Sequence, residues 1–88
     1  MSWVCKFDRR ALRELNKLDP QVKRQIIAYL EERLETDSDP RRFGKRLKAN
    51  LSGLWRYWVG NYRVICQIID SELIVLVLAV GHRKTIYE

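Results

Sequence analysis

The side chains of this 88-residue sequence that could do chemistry are arginine, lysine, histidine and tyrosine, because the other familiar sets are incomplete. One histidine and two widely separated cysteines, Cys5 and Cys66, cannot furnish the three or four ligands of a metal site. The glycines, at 44, 53, 60 and 81, are too scattered to form a phosphate-cradling loop. No motif serine stands near His82 to complete a nucleophilic triad, and no Asp or Glu falls in residues 40–69 to form a carboxylate pair. What remains is chemistry done by arginine, histidine, lysine and tyrosine. That set suits metal-free cleavage of RNA, in which the substrate's own 2′-hydroxyl attacks the adjacent phosphate. Such a reaction needs a base for the hydroxyl, cations for the phosphorane and an acid for the leaving 5′ oxygen. No cofactor or metal is expected.

The distribution of charge points to an anionic partner. The formal net charge is +6, yet residues 1–39 sum to zero and residues 70–88 to minus one. Residues 40–69 carry seven cations (Arg41, Arg42, Lys45, Arg46, Lys48, Arg56 and Arg63) and no acidic residue. Unneutralised cations repel one another, so this stretch is expected to meet nucleic-acid phosphate or an acidic protein. The longest apolar run, residues 73–80, is far short of the roughly 18 residues a membrane span needs. Residues 1–10 show no basic-then-apolar signal pattern, so the expected location is the cytoplasm, with no membrane partner.

Local patterns supply the elements that must position these residues. Residues 2–7 alternate, with Trp3, Cys5 and Phe7 on one side, predicting a half-buried strand; Cys5 here and Cys66 in a later run read as small buried thiols. Asp8 offers an N-cap to a helix whose buried stripe is Ala11, Leu12, Leu15 and Leu18. Asp19-Pro20 starts a second helix, with Val22, Ile26, Ile27, Leu30 and Leu34 inward, ending before Pro40. Residues 40–53 read as an exposed loop with one helical turn held by Phe43, Leu47 and Leu51. Three strands follow at 54–59, 62–69 and 73–80, the first two joined by a Gly60-Asn61 hairpin turn. The third run, apolar almost throughout, should be a central strand covered on both sides. The expectation is a single α+β domain over residues 1–88: strand-helix-helix-three-strand order, an antiparallel sheet and both helices on one face. Alternation separates Leu54, Arg56 and Trp58 from Trp55, Tyr57 and Val59, and Arg63, Ile65 and Gln67 from the core set Val64, Cys66 and Ile68. If Arg56 and Arg63 share the helix-free face, their guanidinium groups are neighbours and a bound phosphate would relieve their repulsion. His82 and Arg83 would reach that face from its edge.

The runs Leu54-Trp55-Arg56-Tyr57, Val59-Gly60-Asn61-Tyr62-Arg63-Val64-Ile65 and Val80-Gly81-His82-Arg83, with Tyr87, resemble the RelE toxins of the RelE/ParE superfamily. The opening Phe7-Asp8-Arg9-Arg10-Ala11-Leu12 extends the likeness over nearly the whole chain. The resemblance implies an endoribonuclease that cuts messenger RNA in the ribosomal A site, held inactive by an acidic RelB-like antitoxin. Operator DNA would be met indirectly, through the antitoxin complex. By position, Arg63 would hold the scissile phosphate, Arg83 would stabilise or protonate the leaving oxygen, and Tyr87 would orient or deprotonate the 2′-hydroxyl. Arg56 stands at the second of two family lysine positions, and Leu54 occupies the first. Arginine is a poor base, which leaves that role to Tyr87 or His82. Trp58, at a position often basic in close relatives, would stack on a nucleobase or cover the sheet or the antitoxin. The cations Arg41, Arg42, Lys45, Arg46 and Lys48 would grip ribosomal RNA or antitoxin. Two other readings stay open: gyrase inhibition, as by the sister ParE toxins, and a degenerate toxin that serves only as operator co-repressor.

Overall fold

A computed structural model describes residues 2–83, so Tyr87 lies outside the described residues. The expected caps start both helices. The Asp8 carboxylate accepts from the Ala11 N–H at 2.8 Å to begin α1 (Arg9–Asn16). Asp19 accepts from the Gln21 N–H at 2.8 Å, with Pro20 in the first turn of α2 (Pro20–Tyr29). Leu30–Leu34 continues α2 as one wide π turn, closed by the Glu35 N–H on the Leu30 carbonyl, and both Leu30 and Leu34 are fully buried. Leu12, by contrast, is 47% exposed. Ala11 and Leu15, four residues apart, face the sheet, and Leu12 is turned about 100° away from Ala11.

Among the described residues the sheet has five strands in the order β1-β5-β4-β3-β2: β1 (Val4–Phe7), β2 (Lys45–Arg46), β3 (Trp55–Val59), β4 (Tyr62–Ile69) and β5 (Ile74–His82). β3, β4 and β5 form the expected antiparallel meander. The sheet is nevertheless mixed rather than wholly antiparallel, since β1 runs parallel to β5. α1 and α2 lie between β1 and the meander in sequence, which is the long connection a parallel pairing requires. The second departure is β2, a two-residue strand inside the expected loop, where Lys45 pairs with Arg56 and Arg46 with Trp55. Neither residue carries an apolar alternation that would announce a strand.

The two faces of the sheet are covered unequally. On the helix side Ala11, Leu15, Ile26, Leu30 and Leu34 pack on Tyr57, Val64, Cys66, Val75 and Val77. On the other side a smaller cluster of Leu47, Ile65 and Ala79, with Leu51 and Leu54, covers the middle of the sheet. β5 is thus buried on both faces, as its composition suggests. Of the three apolar residues expected to hold the loop, Leu47 and Leu51 do so, whereas Phe43 faces outward between the guanidinium groups of Arg33 and Arg42. Among the described residues no helix is long and apolar enough to cross a membrane.

Candidate functional site

The β3–β4 hairpin brings the first pair of cations together. Its turn has Gly60 at φ +59°, the left-handed conformation that glycine adopts without steric cost. That turn sets Trp58 directly opposite Arg63 and Arg56 opposite Ile65. Directly opposed residues share a face, and Ile65 belongs to the helix-free cluster, so Arg56, Trp58 and Arg63 stand on the helix-free face as alternation predicts. The guanidinium carbons of Arg63 and Arg56 lie 4.8 Å and 5.2 Å from the centroid of the Trp58 ring. The Nε atoms of both arginines are shut away from solvent.

Arg83 reaches the same ring, 5.9 Å from its centroid, by way of a β-bulge. Ile65 pairs with Ala79 and Cys66 with Val77, so Leu78 is an extra residue without a partner on β4. An extra residue reverses the alternation of everything after it. Val75 and Val77 point to the helices before the bulge; beyond it Ala79 points to the helix-free side and Val80 to the helix side. The reversed alternation carries Gly81 and Arg83 onto the arginine face. Gly81 stands opposite Arg63 and puts no side chain beside it. The Arg83 N–H donates to the Asn61 carbonyl at 2.9 Å, tying the end of β5 to the hairpin tip.

The same reversal takes His82 the other way. It pairs with Tyr62, which packs on the helix-side core, and the two rings meet edge to face at 5.3 Å and 82°. The structure therefore gathers Arg56, Trp58, Arg63 and Arg83 and sets His82 on the opposite face. Tyr87 falls outside the described residues.

The loop cations, treated in sequence as one group, have separate fates. Arg41 is bound internally: Nη1 and Nη2 donate to the two carboxylate oxygens of Asp70 at 3.1 and 2.6 Å, and Nη1 also to Asp39 at 3.2 Å. These bonds hold the exposed Asp70 carboxyl below its usual range. Arg46 stands over Trp55 and Arg42 over Phe43, at 5.5 and 5.3 Å. Lys45, as the β-partner of Arg56, joins the arginine face, and Lys48 is exposed beyond it. One contributor escaped sequence reasoning altogether. The Glu14 carboxylate of α1 accepts from the Val80 N–H at 2.8 Å, past the last β1 pairing on β5. Its partner is a backbone group, which leaves no trace in residue types.

Guanidinium and ammonium groups round an aromatic platform bind anions, and the fork geometry of arginine suits phosphate oxygens in particular. Three guanidinium groups round one ring give this face the chemistry to attract an anion. Comparisons with known proteins place the chain in a family. The family model described as the ParE toxin of type II toxin-antitoxin systems matches residues 5–87. Toxin RelG of Mycobacterium tuberculosis is 32% identical over 87 residues, covering 99% of this chain and 98% of that protein. The mRNA interferase toxin RelE of Escherichia coli is 33% identical over 90 residues, covering 96% of this chain and 86% of that one. Among solved structures, the toxin-antitoxin complex RelBE2 of M. tuberculosis contains a chain that superposes with a TM-score of 0.85 at 30% identity. The match covers 94% of this chain and all of that one.

Proposed function

The chain belongs to the RelE/ParE superfamily, as a RelE-family toxin of a type II toxin-antitoxin system, and from that premise we propose that it is a ribosome-dependent endoribonuclease that cuts messenger RNA in the A site. The observation that carries this reading is the convergence of Arg56, Arg63 and Arg83 round Trp58 on the helix-free face. In the reaction the 2′-oxygen bonds to phosphorus and the bond to the 5′ oxygen breaks, leaving a 2′,3′-cyclic phosphate and a 5′-hydroxyl. Arg63 and Arg56 hold the phosphate and stabilise the phosphorane charge, and Arg83 stabilises the leaving 5′ oxygen, which takes its proton from Arg83 or from water. Tyr87 takes the base role, since the ring of His82 lies against Tyr62 on the far side of the sheet. Protein cations supply the stabilisation, so no metal ion is required. In the cytoplasm an acidic RelB-like antitoxin would neutralise the basic face and lead the complex to operator DNA; the similar M. tuberculosis structure is itself a toxin-antitoxin complex.

The test is primer-extension mapping of a translated message with wild type and Arg83→Ala side by side. A-site cuts that appear with wild type and vanish with the variant are expected; an uncut message with wild type would sink the reading. The match to the ParE family model favours one second reading, inhibition of DNA gyrase. Loss of gyrase supercoiling with RNA left intact would select it.

A further inference from the structure

Trp58 belongs to neither apolar cluster and is 37% exposed, so packing does not account for an indole at this position. Its neighbours are cations: Arg63 at 4.8 Å, Arg56 at 5.2 Å and Arg83 at 5.9 Å from the ring centroid. Three positive groups so close together repel, and each side chain has several rotatable bonds through which to move apart. The electron-rich indole is the aromatic surface that best offsets this, through cation–π attraction. The backbone delivers the arginines from three directions: Arg56 from two residues earlier on β3, Arg63 from directly across the hairpin, and Arg83 from beyond the β5 bulge. All three guanidinium groups approach that one ring.

Resting on the endonuclease reading above, we propose that Trp58 is a positioning residue: its ring holds the guanidinium groups of Arg56, Arg63 and Arg83 converged on the position of the scissile phosphate. Preorganised cations stabilise the phosphorane without rearranging during the reaction. Losing the ring should therefore slow the chemical step more than it weakens association, because ribosome contact is spread over the whole basic face.

Single-turnover cleavage of A-site message, across a range of ribosome concentrations, tests this with wild type, Trp58→Phe, Trp58→Leu and Trp58→Ala. Trp58→Phe keeps a π face and should stay within about three-fold of the wild-type limiting rate. Trp58→Leu keeps apolar bulk without the π face, and both it and Trp58→Ala should lose about ten-fold or more, with half-saturation moving less than about three-fold. If Trp58→Leu cleaves like wild type, the proposal is overturned, and Trp58→Leu also serves if Trp58→Ala does not fold. A second readout does not depend on cleavage. The arginine Nε–H resonances of the free protein should carry ring-current shifts that persist in Trp58→Phe and collapse in Trp58→Leu. If no variant, wild type included, cuts message, the endonuclease reading fails. In that case unchanged arginine shifts in Trp58→Leu would independently overturn the positioning role, and their collapse would support it.

Discussion

Arg63 and Arg83 differ in how the fold holds them. Arg63 stands beside the hairpin turn in β4, with Trp58 on one side and the side-chain-free Gly81 on the other, whereas Arg83 is an exposed residue past the end of β5, tied to the hairpin by its backbone N–H and by its guanidinium over Trp58. On the proposed mechanism both serve one anion site, so Arg63→Ala and Arg83→Ala should each lower cleavage about 100-fold or more and abolish growth arrest on expression, with circular dichroism unchanged. Wild-type growth arrest by the double variant would remove this site from the mechanism. A different residue sustains the core beneath it. Tyr57 is fully buried, and its hydroxyl donates to the Pro40 carbonyl at 2.7 Å, pinning the start of the basic loop. Tyr57→Phe leaves that carbonyl with an unmet bond in the interior and should cost about 1–2 kcal/mol, read from urea midpoints. Gly44 lies against the same ring: a Cβ there would sit 2.9 Å from two ring carbons, so Gly44→Ala should destabilise by displacing Tyr57.

Among the elements, β5 decides most. It joins the parallel β1 to the antiparallel meander through β4, and its bulge at Leu78 sets which of Arg83 and His82 faces the arginine cluster. Glu14 anchors α1 to β5 just past that bulge, through the Val80 N–H. Glu14→Ala removes the acceptor and should raise hydrogen exchange at the Val80 amide at least ten-fold more than at Val75. Glu14→Gln retains a carbonyl oxygen and should keep most of the protection. Equal protection in wild type and Glu14→Ala would show that α1 does not hold this end of the strand. The Glu14 bond joins a helix to the backbone of the strand that carries Arg83, so the same pair of variants also reports how far register at this end governs cleavage.

At the scale of the molecule, charge and burial each set a dependence on conditions. Burial, aided by the negative charge of Glu35, pushes the Cys5 thiol up to about 12, and burial raises Cys66 and Tyr57 as well. In the unfolded chain a thiol loses its proton near pH 8.5. Above that pH the unfolded state binds fewer protons than the folded one, so stability falls as pH rises towards 12. Urea midpoints between pH 8 and 11 should decline, and less steeply in Cys5→Ala; identical slopes would contradict the burial of this thiol. The basic face sets the second dependence. Lys45→Ala and Lys48→Ala should weaken ribosome association and lower its logarithmic salt slope by about one each. Arg41→Ala should change that slope little, because Arg41 is already engaged by Asp70 and Asp39, and should instead loosen the 40–43 turn.

The sequence by itself determined whatever rests on neighbours along the chain. The Asp8 and Asp19-Pro20 caps, the Gly60-Asn61 turn and the alternation through β3 and β4 are local patterns. Together they suffice to place Arg56, Trp58 and Arg63 on one face. The parallel pairing of β1, the short β2 and the separation of the loop cations depend on contacts between distant segments, and no local period encodes those. Arg83 shows the limit most clearly. Alternation can be read only where polar and apolar residues contrast, and β5 is apolar from Ile74 to Val80, so the extra residue at Leu78 is silent in the sequence. Packing against both faces and pairing with β4 decide where the bulge falls, and with it that Arg83 rather than His82 joins the arginine face.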